Sequence, residues 1–470
     1  MRIKTELPLT LDEVLYVTGG IKRYNSSVTI NAITTNSKES RKGDLFIAIK
    51  GERFDGEDFI EEAKSNGAFC ISSFNRDADI TVNDTAMALL KISGYYRTKN
   101  KSLKTTIAIT GSVGKTTTKN ILSTMLSKHF KVHSTNGNYN NILGVSYTLL
   151  SLPKDTQILV LELGMNHFGE LELLSKATNP DIAVITNIGT AHIGNFGSRE
   201  LIAKAKLEIL SGMKNECLII PNDELLLKNT NNPITVSVDR SGGDYSLFTL
   251  RKMIDSTVFK AILKDKIIYA TVNLPGKHIL SSIINSIAVM DVLGLSEENI
   301  ISSISAVNKD FAREKIYNIG NVIIYDDSYN SSPEAVKSTL ENINELWNQR
   351  KSCVIGDMLE LGCFSEEFHR KIGAEIFKTD FDKLYAYGVY APFIARGAMD
   401  AGMEKDNIFI NTDTLSPKIT AREIFKNMKD GELILFKASH SVHVDKIIDE
   451  LKIAVFESQN DVNNGGINNA

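Results

Sequence analysis

Between Thr110 and Thr118 the chain reads TGSVGKTTT, the densest run of potential chemistry in the sequence. Gly111, Ser112, Val113, Gly114, Lys115, Thr116 and Thr117 form a glycine-punctuated loop that follows the apolar run TTIAIT and opens a helical stretch, KTTTKNILSTMLSKHF. A strand, a loop and a helix in that order are what a phosphate-binding loop requires. The glycines let backbone N–H groups turn onto phosphate oxygens, and the helix N-terminus adds positive potential. Lys115 would reach the β- and γ-phosphates, and the Thr116 hydroxyl is a candidate Mg²⁺ ligand. Counted from Gly111 the loop reads GxxGKT, shorter than the GxxxxGK[ST] form. The plainer alternative is a glycine-rich turn that happens to precede a lysine, but the flanking strand and helix favour nucleotide binding.

Nucleotide binding alone leaves open whether the chain switches, moves something or makes a bond. A guanine-reading NKxD is missing, because the one Asn-Lys pair, Asn308-Lys309, continues Asp310-Phe311. Three other residues could carry ligand chemistry where parallel strands end. Glu162 finishes the apolar run QILVLELG; alternatively it is a helix N-terminal charge, a role Glu170 would fill better. His192 follows DIAVIT in NIGTAH and reads equally as a ligand or a satisfied loop histidine. Lys206, between Lys204 and Glu208, has the look of a solvated helix face.

These residues need a scaffold, and the apolar pattern supplies one. From Lys104 onward, short apolar runs bounded by Gly or Asn alternate with helical stretches, including one from about Arg199 to Leu210. Such runs predict buried parallel strands with crossover helices. Near Phe311 the alternation starts again with NVIIYDD, PEAVKSTLENINELW, SCVIGD, KLYAYG and ELILFK. The expected fold class is therefore α/β in three domains: a small N-terminal α/β domain over residues 1–85, a central P-loop domain with a parallel sheet over 86–312, and a Rossmann-like doubly wound domain over 313–456. The Asn- and Gly-rich stretch 457–470 is expected to be disordered. A length of 470 residues suits about three domains.

Composition narrows the partners. Lys+Arg is 53 and Asp+Glu is 57, a formal net charge of −4, and no long basic run tracks a phosphate backbone, so nucleic acid is not expected. The opening MRIKTELPLT lacks the apolar region of a secretory signal, and no apolar stretch is long enough to span a bilayer. A soluble, cytoplasmic monomer is the expectation. Cys70, Cys217, Cys353 and Cys363 are scattered without a CxxC pair and read as reduced thiols.

Taken together, TGSVGKTTT, NGNYNNILG, LELGMNHFGEL, TNIGTAHIGNFGS with AKAKLEI, DDSYNSSPEAV, GDMLELG and KASHS resemble the Mur ligases over nearly the whole chain. GMNHFGE, DDSYN and GDMLELG point within that family to the members that add D-alanyl-D-alanine to UDP-N-acetylmuramoyl-tripeptide. The resemblance implies an ATP-dependent ligase with two Mg²⁺ sites and an N-terminal domain for the UDP-sugar. Thr116 and Glu162 match the positions that hold one Mg²⁺, Glu162 and His192 those around the second, and Lys206 the lysine that takes up CO₂ as a carbamate. Arg313, Asp327 and Lys437 match nucleotide contacts of a C-terminal domain that closes over the loop. Asn140 and Asn141 lie near where an acyl phosphate would need hydrogen-bond donors.

The chain departs from the family pattern in three places. TDSR reads Thr35-Asn36-Ser37-Lys38, HNxxN reads His278 to Ser282, and KGSR reads Lys437-Ala438-Ser439-His440. A lysine is no equal replacement for a bidentate arginine. The phosphate and metal positions survive and the changes fall on substrate and base recognition. Two other readings follow: a Mur-type ligase for another acid and amine, or a nucleotide-binding paralogue without ligase activity.

Overall fold

In the computed structural model the described residues are all but 25–27, 52, 75–76, 216, 254–255, 265, 275, 308–314 and 466–470; side chains are described as far as residue 458. Arg313 lies outside them. The described chain forms three sheets, as an α/β fold in three domains requires.

The central sheet has nine strands. Seven run parallel, in the spatial order Tyr245–Lys252, Ile234–Val238, Cys217–Pro221, Ile182–Ile185, Thr105–Thr110, Ile158–Glu162, Val132–Ser134. Side chains on a strand alternate between faces, and here the two faces belong to two cores. Ile107, Ile109, Ile158, Val160, Ile182 and Val184 enter one, beneath the helices Lys115–Ser127 and Lys277–Val292. Ala108, Leu159, Leu161, Ala183 and Ile185 enter the other, with Leu171, Leu174 and Ile202 from the helices Glu170–Thr178 and Arg199–Leu207. Burial on both faces makes these strands continuous apolar runs. Of these nine, the apolar runs singled out in sequence account for Thr105–Thr110, Ile158–Glu162 and Ile182–Ile185. Tyr245–Lys252 runs parallel to Ile234–Val238, and Thr257–Leu263 and Lys266–Val272 extend that edge as antiparallel hairpins.

The C-terminal sheet orders its strands Lys315–Ile319, Val322–Asp326, Leu433–Lys437, Lys351–Gly356, Lys383–Tyr387, Ile408–Asn411; all pairs are parallel except the first. Helices cover both faces, so doubly wound describes it. The last helix, Asp445–Gly465, docks through Ile447, Ile448, Leu451 and Val455. It runs past residue 457, where the sequence suggested that order ends. Once a helix is docked, each further residue adds a backbone hydrogen bond without a new nucleation cost, and weak formers such as Asn are carried along.

The N-terminal sheet is built from six strands of two to four residues, Arg2–Lys4, Ile21–Lys22, Ala32–Thr34, Leu45–Ile47, Phe69–Ser72 and Ile80–Thr81. Its core takes Leu89, Ile92 and Tyr96 from the helix Thr85–Thr98, while Leu90 of the same helix enters the central core. That helix is thus shared by two domains.

Candidate active site

Open parallel sheets place ligands beyond the carboxyl ends of their strands, and here two sheets present those ends to one cavity. The cavity has a volume of 1060 Å³, more than one small ligand needs. From the central domain it is lined by the 112–118 loop, Glu162, which ends Ile158–Glu162, and His192; from the C-terminal domain come Asp327, just past Val322–Asp326, and Lys437, which ends Leu433–Lys437.

The loop is held tightly from outside. Asn187 Oδ1 accepts from the backbone N–H of Ser112 at 3.0 Å and of Val113 at 2.8 Å, and the Thr186 hydroxyl donates to the Val113 carbonyl at 2.6 Å. Gly111 has φ 145° and lies so close to Thr186 that a Cβ would sit 1.9 Å from Thr186 Oγ1. Gly114, at φ 83°, turns the chain into Lys115–Ser127, whose N-terminus has no side-chain cap. An uncapped helix start facing a cavity is a ready anion site. Lys115 folds back over the loop, its Nζ donating to the carbonyls of Gly111 at 2.8 Å and Ser112 at 3.3 Å.

Thr116 and Glu162, brought together across 46 residues, are joined by a 2.6 Å bond from the hydroxyl to Oε2. The other oxygen of Glu162 accepts from Asn140 Nδ2 at 2.8 Å. Glu170 caps the turn at its own helix by accepting from the Asn166 N–H at 2.7 Å, so the helix-charge role falls to it and not to Glu162. Asn141 serves as a helix cap, its Oδ1 accepting from the Gly144 N–H at 2.9 Å, and it also lines the cavity.

Lys206 departs most from its appearance in the sequence. It is 1% exposed, whereas Lys204 is exposed. Burial pushes its pKa well down, and the nearby Lys115 charge pushes the same way. No hydrogen-bond partner offsets this among the described residues, so the surroundings favour the neutral, nucleophilic form of the amine. His192 Nδ1 stands 2.5 Å from Glu360 Oε2, a residue of the C-terminal domain, and this contact holds the Glu360 carboxyl below its usual range against the opposing effect of burial.

Across the cavity, Lys437 Nζ donates to Asp327 Oδ2 at 2.6 Å and to the Asn330 carbonyl at 3.0 Å, and Thr339 donates to the same carboxylate oxygen at 3.0 Å. Of the departures noted in sequence, Ser282 is buried and accepts from Thr118 Oγ1 at 3.0 Å, Asn36 caps a short turn through the Lys38 N–H, and the His440 ring packs 5.7 Å from that of Tyr329. Asn187, Glu334 and Glu360 were not singled out in sequence. An Asn closing a buried strand was the available signal for Asn187; the two glutamates act across a domain boundary that only the fold brings together.

Family models cover most of the chain in sequence order: the Mur ligase family catalytic domain matches residues 29–103, the Mur ligase middle domain 109–290, and the Mur ligase glutamate ligase domain 313–440. The chain belongs to the Mur ligase family. The UDP-N-acetylmuramoyl-tripeptide--D-alanyl-D-alanine ligase of Bacillus subtilis is 36% identical to this Mur ligase over 91% of this chain and 94% of its own length. The Rickettsia prowazekii enzyme of the same name is 34% identical over 90% and 96%. Among solved structures, MurF from Acinetobacter baumannii matches with a TM-score of 0.85 at 29% identity, covering 96% of this chain and all of that one. MurF ligase from Thermotoga maritima in complex with ADP matches with a TM-score of 0.80 at 31% identity, over 91% and 98%. The domain order read from the motifs is that of the family.

Proposed function

We propose that this Mur ligase is an ATP-dependent, ADP-forming enzyme that joins D-alanyl-D-alanine to UDP-N-acetylmuramoyl-tripeptide in the cytoplasm, as a monomer, for peptidoglycan synthesis. The observation that carries the reading is the junction of Lys115, Thr116 and Glu162 with Asp327 and Lys437 around one cavity. Relatives that carry this substrate pair in their names align over nine-tenths of the chain, and a neighbour of the same fold binds ADP.

A carboxylate does not react with an amine until one oxygen becomes a leaving group. Transfer of the γ-phosphoryl group to the tripeptide carboxylate gives an acyl phosphate and ADP; the D-alanyl-D-alanine amine then attacks the acyl carbon and expels phosphate. The enzyme's share is alignment and charge neutralisation. The loop N–H groups and the helix start at Lys115 would hold the phosphates, with Lys115 swinging from its backbone carbonyls onto the γ-phosphate. Asp327, held by Lys437 and Thr339, would accept from nucleotide hydroxyls.

Two Mg²⁺ ions belong to this reading, although the described residues hold no cluster of three or more His, Cys, Asp or Glu side chains that could bind a metal and Lys206 is not among those lining the cavity. Thr116 and Glu162 offer hard oxygens 2.6 Å apart, His192 would add a nitrogen, and the amine of Lys206, in its neutral form, could add CO₂, releasing a proton, to give a carbamate whose oxygens match such a cation. Magnesium bound there would offset phosphate charge and align the reacting oxygens. Asn140, bonded to Glu162, is the better placed of the two asparagines to keep that carboxylate oriented.

ADP and phosphate release with ATP and Mg²⁺, the two substrates being added singly and together, tests the assignment. Release that requires both, with a pentapeptide product, is expected. Release stimulated by neither would point to a ligase for another acid and amine, the reading that Asn36, Lys38 and Ser282 favour.

A further inference from the structure

His192 lies in the loop that follows Ile182–Ile185, at φ 65°, and its side chain makes no capping bond to the short helix Ile193–Phe196 that it precedes. Among the described residues its polar partner is Glu360 of the C-terminal domain, Nδ1 to Oε2 at 2.5 Å. The seat for this contact is built in the backbone. The Gly194 N–H donates to the Glu360 carbonyl at 3.0 Å, and a Cβ on Gly194 would lie 2.6 Å from the Gly362 nitrogen, so the two loops meet only because both positions are glycine. Glu360 itself has φ 64°, a left-handed conformation that is strained for a residue with a side chain and persists where the surroundings impose it. A second carboxylate grips the same loop: Glu334, on the helix Pro333–Leu346, accepts from the Thr190 N–H at 2.7 Å.

We propose that Glu360 is the positioning residue of His192, carried on the C-terminal domain, so that the histidine is aimed into the cavity only while the two domains are in contact. The 2.5 Å contact lacks the alignment of a full hydrogen bond, but a carboxylate can only accept, so a proton shared at that distance sits on Nδ1 and leaves Nε2 its lone pair. Contact with Glu360 thereby favours the tautomer whose Nε2 can bind a cation. Stability is not the purpose: the Glu360 side chain is 53% exposed, and pairs so wetted contribute little. The inference rests on the reading of His192 as a magnesium ligand.

Mn²⁺, used in place of Mg²⁺ and titrated by electron paramagnetic resonance into the full-length protein holding a non-hydrolysable ATP analogue, separates the two ideas. Glu360→Ala is expected to weaken one class of Mn²⁺ site about 10- to 100-fold with an unchanged melting temperature. Glu360→Gln, whose amide oxygen still accepts from Nδ1–H, should recover most of the affinity. Wild-type affinity in Glu360→Ala, with His192→Ala weakened, would overturn the role of Glu360 and leave the histidine a ligand. Equal losses in the Ala and Gln variants would also overturn it, since a hydrogen bond would then not be what matters. Wild-type titration by His192→Ala would remove the ligand reading itself.

Discussion

Lys206 shows how far one residue's meaning depends on its face. In AKAKLEIL a mixture of charges suggests solvent, yet Ile202, Lys206 and Ile209 follow one another at helical spacing and all three are buried. The period was legible; charge composition outweighed it. Lys206 binds a proton in the unfolded chain up to its ordinary pKa of 10.5, whereas the folded form gives it up well below that. Stability therefore rises with pH through the window between the depressed folded value and 10.5, and the penalty is largest at low pH. Lys206→Met should abolish ligation. In CO₂-depleted buffer it should melt roughly 2–4 °C higher or more at neutral pH, with the gap closing as pH rises toward 10.5. Melting curves of both proteins across pH check this; a wild-type advantage at pH 7 would contradict it. The Thr116 and Glu162 pair, by contrast, was readable, because both sit where strand meets loop and each has a chemistry its neighbours lack.

At the level of elements, the phosphate loop depends on Thr186 and Asn187 as much as on its own glycines. Gly111→Ala would place a methyl group on Thr186 Oγ1 at a φ that side chains rarely adopt. ADP affinity measured by calorimetry should fall at least tenfold, about 1.4 kcal/mol. Strands with an apolar residue at every step were legible here. The hairpin strands Thr257–Leu263 and Lys266–Val272 are less legible: Thr257–Leu263 alternates strictly between buried and half-buried positions, but the half-buried ones include apolar Val258 and Ile262 beside Lys260, which blurs the period.

For the molecule as a whole, the central and C-terminal domains meet through an apolar cluster that takes Ile193 and Phe196 from one and Met358 and Leu361 from the other, and beside it the backbones of Gly194 and Gly362 pack directly together. Gly194→Val would wedge these loops apart. X-ray scattering should give a larger radius of gyration than for the parent protein, and ligase activity should fall at least tenfold, whereas melting of the separate sheets is little changed. No pattern in sequence announces such a contact, since neither Glu334 nor Glu360 is unusual until the other domain is placed against it. A shared helix forms the other junction. The helix Thr85–Thr98 gives Leu89, Ile92 and Tyr96 to the N-terminal core and Leu90 to the central one, so it serves as a common wall. An N-terminal fragment ended at residue 85 would lose three core side chains, each worth roughly 1.5–3 kcal/mol of burial, and one ended after Thr98 would expose the face that Leu90 occupies. Neither cut yields a self-sufficient piece. For expression, and for evolutionary exchange of parts, the first two domains are a single cassette.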